Sequence, residues 1–280
     1  SAIMKDGKVL FASSEERFCR LKKSKSFPFQ SIDFCLNSVG INSLAELDAI
    51  AISWNPAVNM ANINLSGFTE WRRYDPEWLY IVPNNLLSIS QELGKSDEYL
   101  KMQFGNSKCP IYYVQHHLSH IYHAIFQSKF KSGIAIAVDE YSELNTASVA
   151  KFDENNCKIF KTIEYPHSLG VFYAAITEYL GFEPYSDEWK VMGASAYGKD
   201  DKYYESLKKV FNWNEEEQQW LSNYNYVEHS NLKKKGYLNK RLFNLLGIPP
   251  RIKGGEISQE YFDLAFCAQN LFENNLFKLL

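Results

Sequence analysis

Cysteine is scarce here and shows no pairing pattern. Five cysteines (19, 35, 109, 157 and 267) are spread over 280 residues, with no Cys-x-x-Cys and no zinc-ribbon spacing. That excludes a disulfide scaffold and a thiolate metal site, and fits free thiols in a reducing cytoplasm. Long apolar runs are missing too. No stretch reaches the ~20 residues that a membrane helix needs, and Lys5, Asp6 and Lys8 interrupt any secretion-signal core. Positive charge is not in excess: 30 Lys and Arg stand against 33 Asp and Glu, a formal net charge of -3. A general nucleic-acid or membrane-surface binder would carry a basic footprint instead. There is no G-x-S-x-G elbow, no H-E-x-x-H and no G-x-G-x-x-G. His167 precedes Ser168, but adjacency in sequence does not make a catalytic pair.

What is present is a globular composition, 45% hydrophobic and 22% charged, long enough for two subdomains. The organising stretch is His116-His117-Leu118-Ser119-His120-Ile121-Tyr122-His123. Four of the six histidines fall in it. It follows a β-type run at 110–114 and has the apolar spacing of a helix in Leu118, Ile121, Ala124 and Ile125. His116 and His120 are one helical turn apart and share a face, so they can bind one ion if a third ligand comes from elsewhere. Asp139 is the first candidate, at the C-terminal end of the buried-strand pattern 133–138, where α/β sheets place their ligands. Two imidazoles and a carboxylate with open positions suit iron(II), zinc or manganese. His123 is an alternative ligand on the same face, and His117 and His123 otherwise stand as supporting groups or surface residues. The competing reading leaves all four histidines decorating a helix, with Asp139 starting a turn.

The element order predicts two related α/β units. Asp6-Gly7 is a hairpin turn between strands at 2–4 and 9–12. A helix follows Pro28, a strand covers 48–53, loops fill 54–75, and a helix runs from about Glu77 to Leu93. After the histidine helix come strands at 133–138, 146–152 and 158–164 and a helix from about Leu169 to Leu180. Residues 200–250 are charged and poorly periodic, with Glu215 to Glu217 and Lys233 to Lys235 read as solvated runs. Ser258 is placed to cap a final helix with Tyr261, Leu264, Ala265, Ala268 and Phe272 inside. Both ends read as cut, a strand already under way at Ser1 and an uncapped apolar helix at Leu280. Two further stretches offer anion chemistry. Arg17, Arg20 and Lys22 could hold phosphate or form a solvated turn. Residues 186–199, with Gly193 and Gly198, allow close backbone approach to a nucleotide, without the spacing of a P-loop.

Taken in order, these stretches resemble the NodU/CmcH-type carbamoyltransferase family. The residues that carry the resemblance are Glu15-Glu16-Arg17-Phe18-Cys19-Arg20-Leu21-Lys22 with Phe27-Pro28, and Gln115-His116-His117-Leu118-Ser119-His120. Val138-Asp139, Pro166-His167-Ser168-Leu169-Gly170 and Glu188-Trp189-Lys190-Val191-Met192-Gly193 follow, then Leu246-Gly247-Ile248-Pro249-Pro250-Arg251. The resemblance implies an actin/hexokinase/Hsp70-like (ASKHA) α/β fold with two tandem RNase-H-like subdomains. These would cover 1–130 and an incomplete 131–280, with an insertion at about 200–255. It implies an iron-type divalent metal on His116, His120 and Asp139. It also implies ATP and carbamoyl phosphate as co-substrates, with a carbamoyl-adenylate intermediate made by a YrdC-like C-terminal domain of the same chain. The carbamoyl group would pass to a small-molecule hydroxyl. By motif position, Arg20 and Lys22 would contact phosphate or adenylate, and Lys190 and Gly193 would line the nucleotide. A further ligating Asp is expected beyond Leu280, which would leave the piece inactive alone. Where the family has Asp-Gly-x-Gly-Glu, this chain reads Asp139-Glu140-Tyr141-Ser142-Glu143. Without its glycines the turn is expected to be stiffer and more negative, and a catalytically degenerate nucleotide-binding module is the second expectation. A metallohydrolase ranks last.

Overall fold

The structure is a computed structural model that describes residues 1–22, 28–53, 109–140, 142–227 and 236–280. The helix expected from Glu77 to Leu93, the loops at 54–75 and the Lys233 to Lys235 run lie outside the described residues. The described residues divide into two compact units, 1–52 with 109–113, and Ser53 with everything from Val114 onward.

In the first unit, β1 (Ala2–Lys5) and β2 (Lys8–Ala12) pair antiparallel. Asp6 and Gly7 join them, both at positive φ (52° and 73°), the geometry of a two-residue hairpin turn. The short α1 (Glu16–Cys19) ends at Arg20, which takes a left-handed φ of 60°. Helix α2 (Phe29–Ser38) begins behind Pro28. Its open backbone N–H groups at Gln30 and Ser31 are received by the two oxygens of Glu15, at 3.3 and 2.8 Å. So Glu15, which lies in a dense charged segment of the sequence, is a buried helix cap. Strand β3 (Ile50–Ile52) pairs parallel with β4 (Ile111–Tyr113).

In the second unit, α3 (His116–Gln127) is followed by an antiparallel meander of β5 (Gly133–Val138), β6 (Asn145–Phe152) and β7 (Cys157–Glu164). Central strand β6 is covered on both sides. Ala150 and Phe152 join Ala135 and Ala137 of β5 in a core with Ile121 of α3. Ala147 and Val149 point the other way, into a core that contains α4 (Leu169–Tyr179) and α8 (Gln259–Leu279). The period-2 alternation of side chains puts successive residues on opposite faces of the sheet. Complete burial of Ile121 contributes about 1.5–3 kcal/mol to holding the histidine helix on the sheet.

Helix α4 starts where Ser168 Oγ accepts from the Val171 N–H at 3.0 Å. Ser258 holds the N-cap position of α8 but makes no side-chain cap bond. Leu264, Ala265 and Ala268 of α8 are buried on its inner face. Residues 186–199 fold around a helix, α5 (Glu188–Ser195). The poorly periodic stretch after 200 is built into the core. Helix α6 (Tyr204–Lys208) precedes a hairpin of β8 (Phe211–Asn214) and β9 (Gln219–Ser222), and α7 (Lys240–Leu246) follows. Phe211, Trp213, Trp220 and Leu242 are buried with α4 and α8. Aromatic residues hide the periodicity here: at a hairpin, two or three buried rings replace a long apolar stripe.

Candidate metal centre

The end of β5 and the first turn of α3 bring three of the expected side chains together. His116 Nε2 lies 3.2 Å from Asp139 Oδ2, His120 Nε2 lies 3.5 Å from the same oxygen, and the two imidazole nitrogens are 3.1 Å apart. Among the described residues this is the group of three whose ligand atoms all fall within 4.8 Å of one another. Two nitrogen ligands at about 2.0–2.1 Å from a tetrahedral ion stand roughly 3.3 Å apart. The observed separations match that spacing, so the donor set fits one divalent ion.

Two of the three ligands, His116 and Asp139, are oriented from behind. His116 Nδ1 lies 3.0 Å from the Ser53 carbonyl, which can only accept. That contact places a proton on Nδ1 and leaves Nε2 to face Asp139, where it donates a second proton to Oδ2 in the metal-free protein and would offer its lone pair to an ion. Asp139 Oδ1 accepts from the Glu140 N–H at 2.8 Å, which leaves Oδ2 to face the imidazoles. The hydrogen bond to Asp139 raises the His116 pKa above the ordinary imidazole value, outweighing burial. Burial alone would raise the Asp139 pKa, but the hydrogen bonds from His116 and from the Glu140 N–H outweigh it and hold the carboxyl below its ordinary value. Without an ion the pair therefore stores an attraction that a metal would take over.

The other expected residues are placed as follows. His117 is wholly buried, not a surface group. Its Nδ1 lies 2.8 Å from Ser148 Oγ on β6, and its Nε2 has no partner. Burial pushes its pKa down to about 4. His123 stands exposed one turn beyond His120, apart from the converging group. Lys190 sits on α5 with Nζ 2.9 Å from Asp187 and over the rings of Trp189 and Phe182. A Cβ added at Gly193 would meet nothing within 4 Å, so the helix surface is open there. Arg20 and Lys22 are exposed residues of the first unit.

The structure also uses residues not singled out as site residues in the sequence. Both oxygens of Glu143 accept from the His116 N–H, at 3.0 and 3.1 Å. Glu140 Oε1 receives the hydroxyls of Tyr185 and Tyr237, at 2.6 and 3.0 Å. A Cβ at Gly170 would stand 2.7 Å from Glu140 Cα, so this glycine lets α4 press against the turn that carries Asp139. Neither Glu140 nor Ser142 takes a positive φ, so the residues that stand in place of the motif's glycines are not strained there. Only the acid that ends the Asp139-to-Glu143 motif was a visible signal; Gly170 and Ser53 become readable once the sheet is built.

Comparison with known proteins identifies the family. Residues 1–278 match the family model described as carbamoyltransferase N-terminus. The chain is 30% identical over its whole length to an uncharacterized protein of Synechocystis (sll1178), covering 45% of that protein. It is 27% identical, again over its whole length, to the nodulation protein NolNO of Sinorhizobium fredii, covering 37% of it. An uncharacterized protein of Methanocaldococcus jannaschii (MJ1051) is 29% identical over 76% of the chain, with 35% of its own length covered. The chain thus spans less than half the length of these relatives. A match that runs from residue 1 to residue 278, through every motif quoted above, places the chain in the NodU-type carbamoyltransferase family, as its N-terminal region.

Proposed function

We propose that this chain is the transfer domain of an O-carbamoyltransferase. In this reading it hands a carbamoyl group to a hydroxyl of a small molecule, from a carbamoyl-adenylate formed out of ATP and carbamoyl phosphate. A YrdC-like domain of the same protein would make the adenylate. The fold would be ASKHA-like with RNase-H-like halves, and the meander β5-β6-β7 followed by α4 is the part of this structure that supports it. The observation that carries the reading is the convergence of His116, His120 and Asp139 inside a carbamoyltransferase-family chain.

His116, His120 and Asp139 would hold a divalent metal, with iron(II) first among the ions that suit this donor set. When bound, such an ion supplies Lewis-acid polarisation of a carbonyl or phosphoryl oxygen. The protein's own contribution is orientation. Ser53 fixes the His116 tautomer, and the Glu140 N–H selects which Asp139 oxygen faces the ligand group. Lys190 and Gly193 on the open surface of α5 would line the nucleotide, with Arg20 and Lys22 on the phosphate or adenylate. Carbamoyl transfer by the full-length protein, supplied with ATP, carbamoyl phosphate and a panel of hydroxyl acceptors, tests this. The double variant His116→Ala/His120→Ala should lose transfer, and wild-type turnover in that variant would overturn the metal's role.

A second reading is favoured by one observation: a carboxylate, Glu140, stands next to Asp139 where the family has glycine. That extra charge would oppose a phosphate, and the domain would then bind nucleotide without turnover. Calorimetry separates the two readings, because ATP binding without carbamoyl transfer supports the module.

A further inference from the structure

We infer that Glu143 is a positioning residue for the metal centre: it ties the first turn of the histidine helix to the turn that carries Asp139, and so holds both halves of the ligand set at one spacing. The inference rests on the metal reading above.

A helix beginning at His116 has open N–H groups in its first turn. The residue placed to cap them, Gln115, makes no side-chain cap bond. The cap comes instead from 27 residues away, where both Glu143 oxygens accept from the His116 N–H. A neutral side chain next to the helix would have capped it at less cost, because Glu143 is only 1% exposed and a buried carboxylate is expensive unless well bonded. Placed at the positive end of α3, the charge is stabilised by the helix dipole.

What the distant cap adds is linkage. Glu143 belongs to the same turn as Asp139, and that turn is pinned at several points. Asp139 N–H donates to the Thr146 carbonyl at 3.0 Å, Ser142 N–H to the Asn145 carbonyl at 2.6 Å, and Tyr165 N–H to the Leu144 carbonyl at 2.9 Å. Asn145 N–H donates to Ser142 Oγ at 3.2 Å. The carboxylate ligand and the cap therefore move as one piece. Since the cap bonds the backbone of His116 itself, the Nε2 to Oδ2 distance of 3.2 Å follows from where Glu143 sits.

The test is Co²⁺ binding by the full metal-free chain, followed by calorimetry and by the visible absorption of the bound ion, which reports its coordination geometry. Glu143→Ala should bind Co²⁺ about 10- to 100-fold more weakly, the range for loss of a group that orients a metal ligand, and with an altered spectrum. Glu143→Gln keeps an acceptor oxygen for the His116 N–H and should fall between wild type and Glu143→Ala; it carries the test if the alanine variant does not fold. If both variants melt at lower temperature yet keep wild-type affinity and spectrum, the role is structural only and the inference is overturned. His116→Ala is the control. Lost Co²⁺ binding there, with unchanged binding in the Glu143 variants, overturns this inference alone. Unchanged binding in His116→Ala overturns the metal reading and this inference with it.

Discussion

The imidazole of His117 is wholly buried, with Nδ1 2.8 Å from the Ser148 hydroxyl, while its neighbour His116 faces Asp139. Burial keeps His117 neutral to about pH 4. A histidine whose folded pKa lies below its unfolded one adds stability above the ordinary value near 6.5, and that stability is lost as pH falls toward the folded value. Between pH 7 and pH 4 the metal-free wild type should lose about 3 kcal/mol more than His117→Asn, which keeps a polar partner for Ser148 but does not titrate. Chemical denaturation at several pH values measures this. Parallel pH slopes for the two proteins would contradict it.

Gly170 and Gly193 should respond oppositely to alanine. At Gly170 the new methyl would meet the backbone of Glu140 at 2.7 and 2.8 Å, and backbone cannot swing aside. Gly170→Ala should cost about 1–3 kcal/mol and weaken metal binding through the displaced Asp139 turn. At Gly193, inside α5, there is open space. Gly193→Ala should raise stability by up to about 1 kcal/mol through helix propensity, yet weaken ATP binding if nucleotide packs against that surface. Thermal unfolding and ATP calorimetry on both variants read the contrast.

Arg251 anchors the segment after α7 to the end of α4. Its guanidinium donates from Nε to the Leu180 carbonyl at 2.5 Å and from Nη1 to the Gly255 carbonyl, and it lies 4.7 Å from the Phe182 ring centroid. A lysine has neither the fork nor the planar face. Arg251→Lys should cost about 1–3 kcal/mol, the penalty for buried acceptors left unpaired, with Co²⁺ affinity unchanged. A metal-binding defect in a variant that still folds would show that this motif reaches the centre.

The sequence carried the parts of this structure that depend on short-range rules. The Asp6-Gly7 hairpin, the histidine helix, the three-strand meander and helix α4 follow from turn chemistry and periodicity, whereas Ser258, read as a cap, makes no side-chain cap bond and Ser168, not read as one, caps α4. The pairing of His116 and His120 was readable because helix geometry fixes residues one turn apart. Asp139 was readable because strand ends are where ligands gather. What sequence could not supply were carboxylates acting across distance. Glu15 and Glu143 look like surface charge until the helix each one caps is placed next to it. Likewise His117 could not be told from His123, since only the packing of β6 decides which histidine is buried. The stretch after 200 looked irregular because its core contacts come from single aromatic residues on a hairpin.

The central claim is that His116, His120 and Asp139 hold one divalent ion. Elemental analysis of the protein purified without added chelator, beside His116→Ala/His120→Ala prepared the same way, tests it most directly. The account predicts about one transition-metal ion per chain in the wild type, iron foremost, and essentially none in the double variant. Equal metal content in the two proteins, or none in a wild type reloaded with Fe²⁺ under reducing conditions, would contradict it.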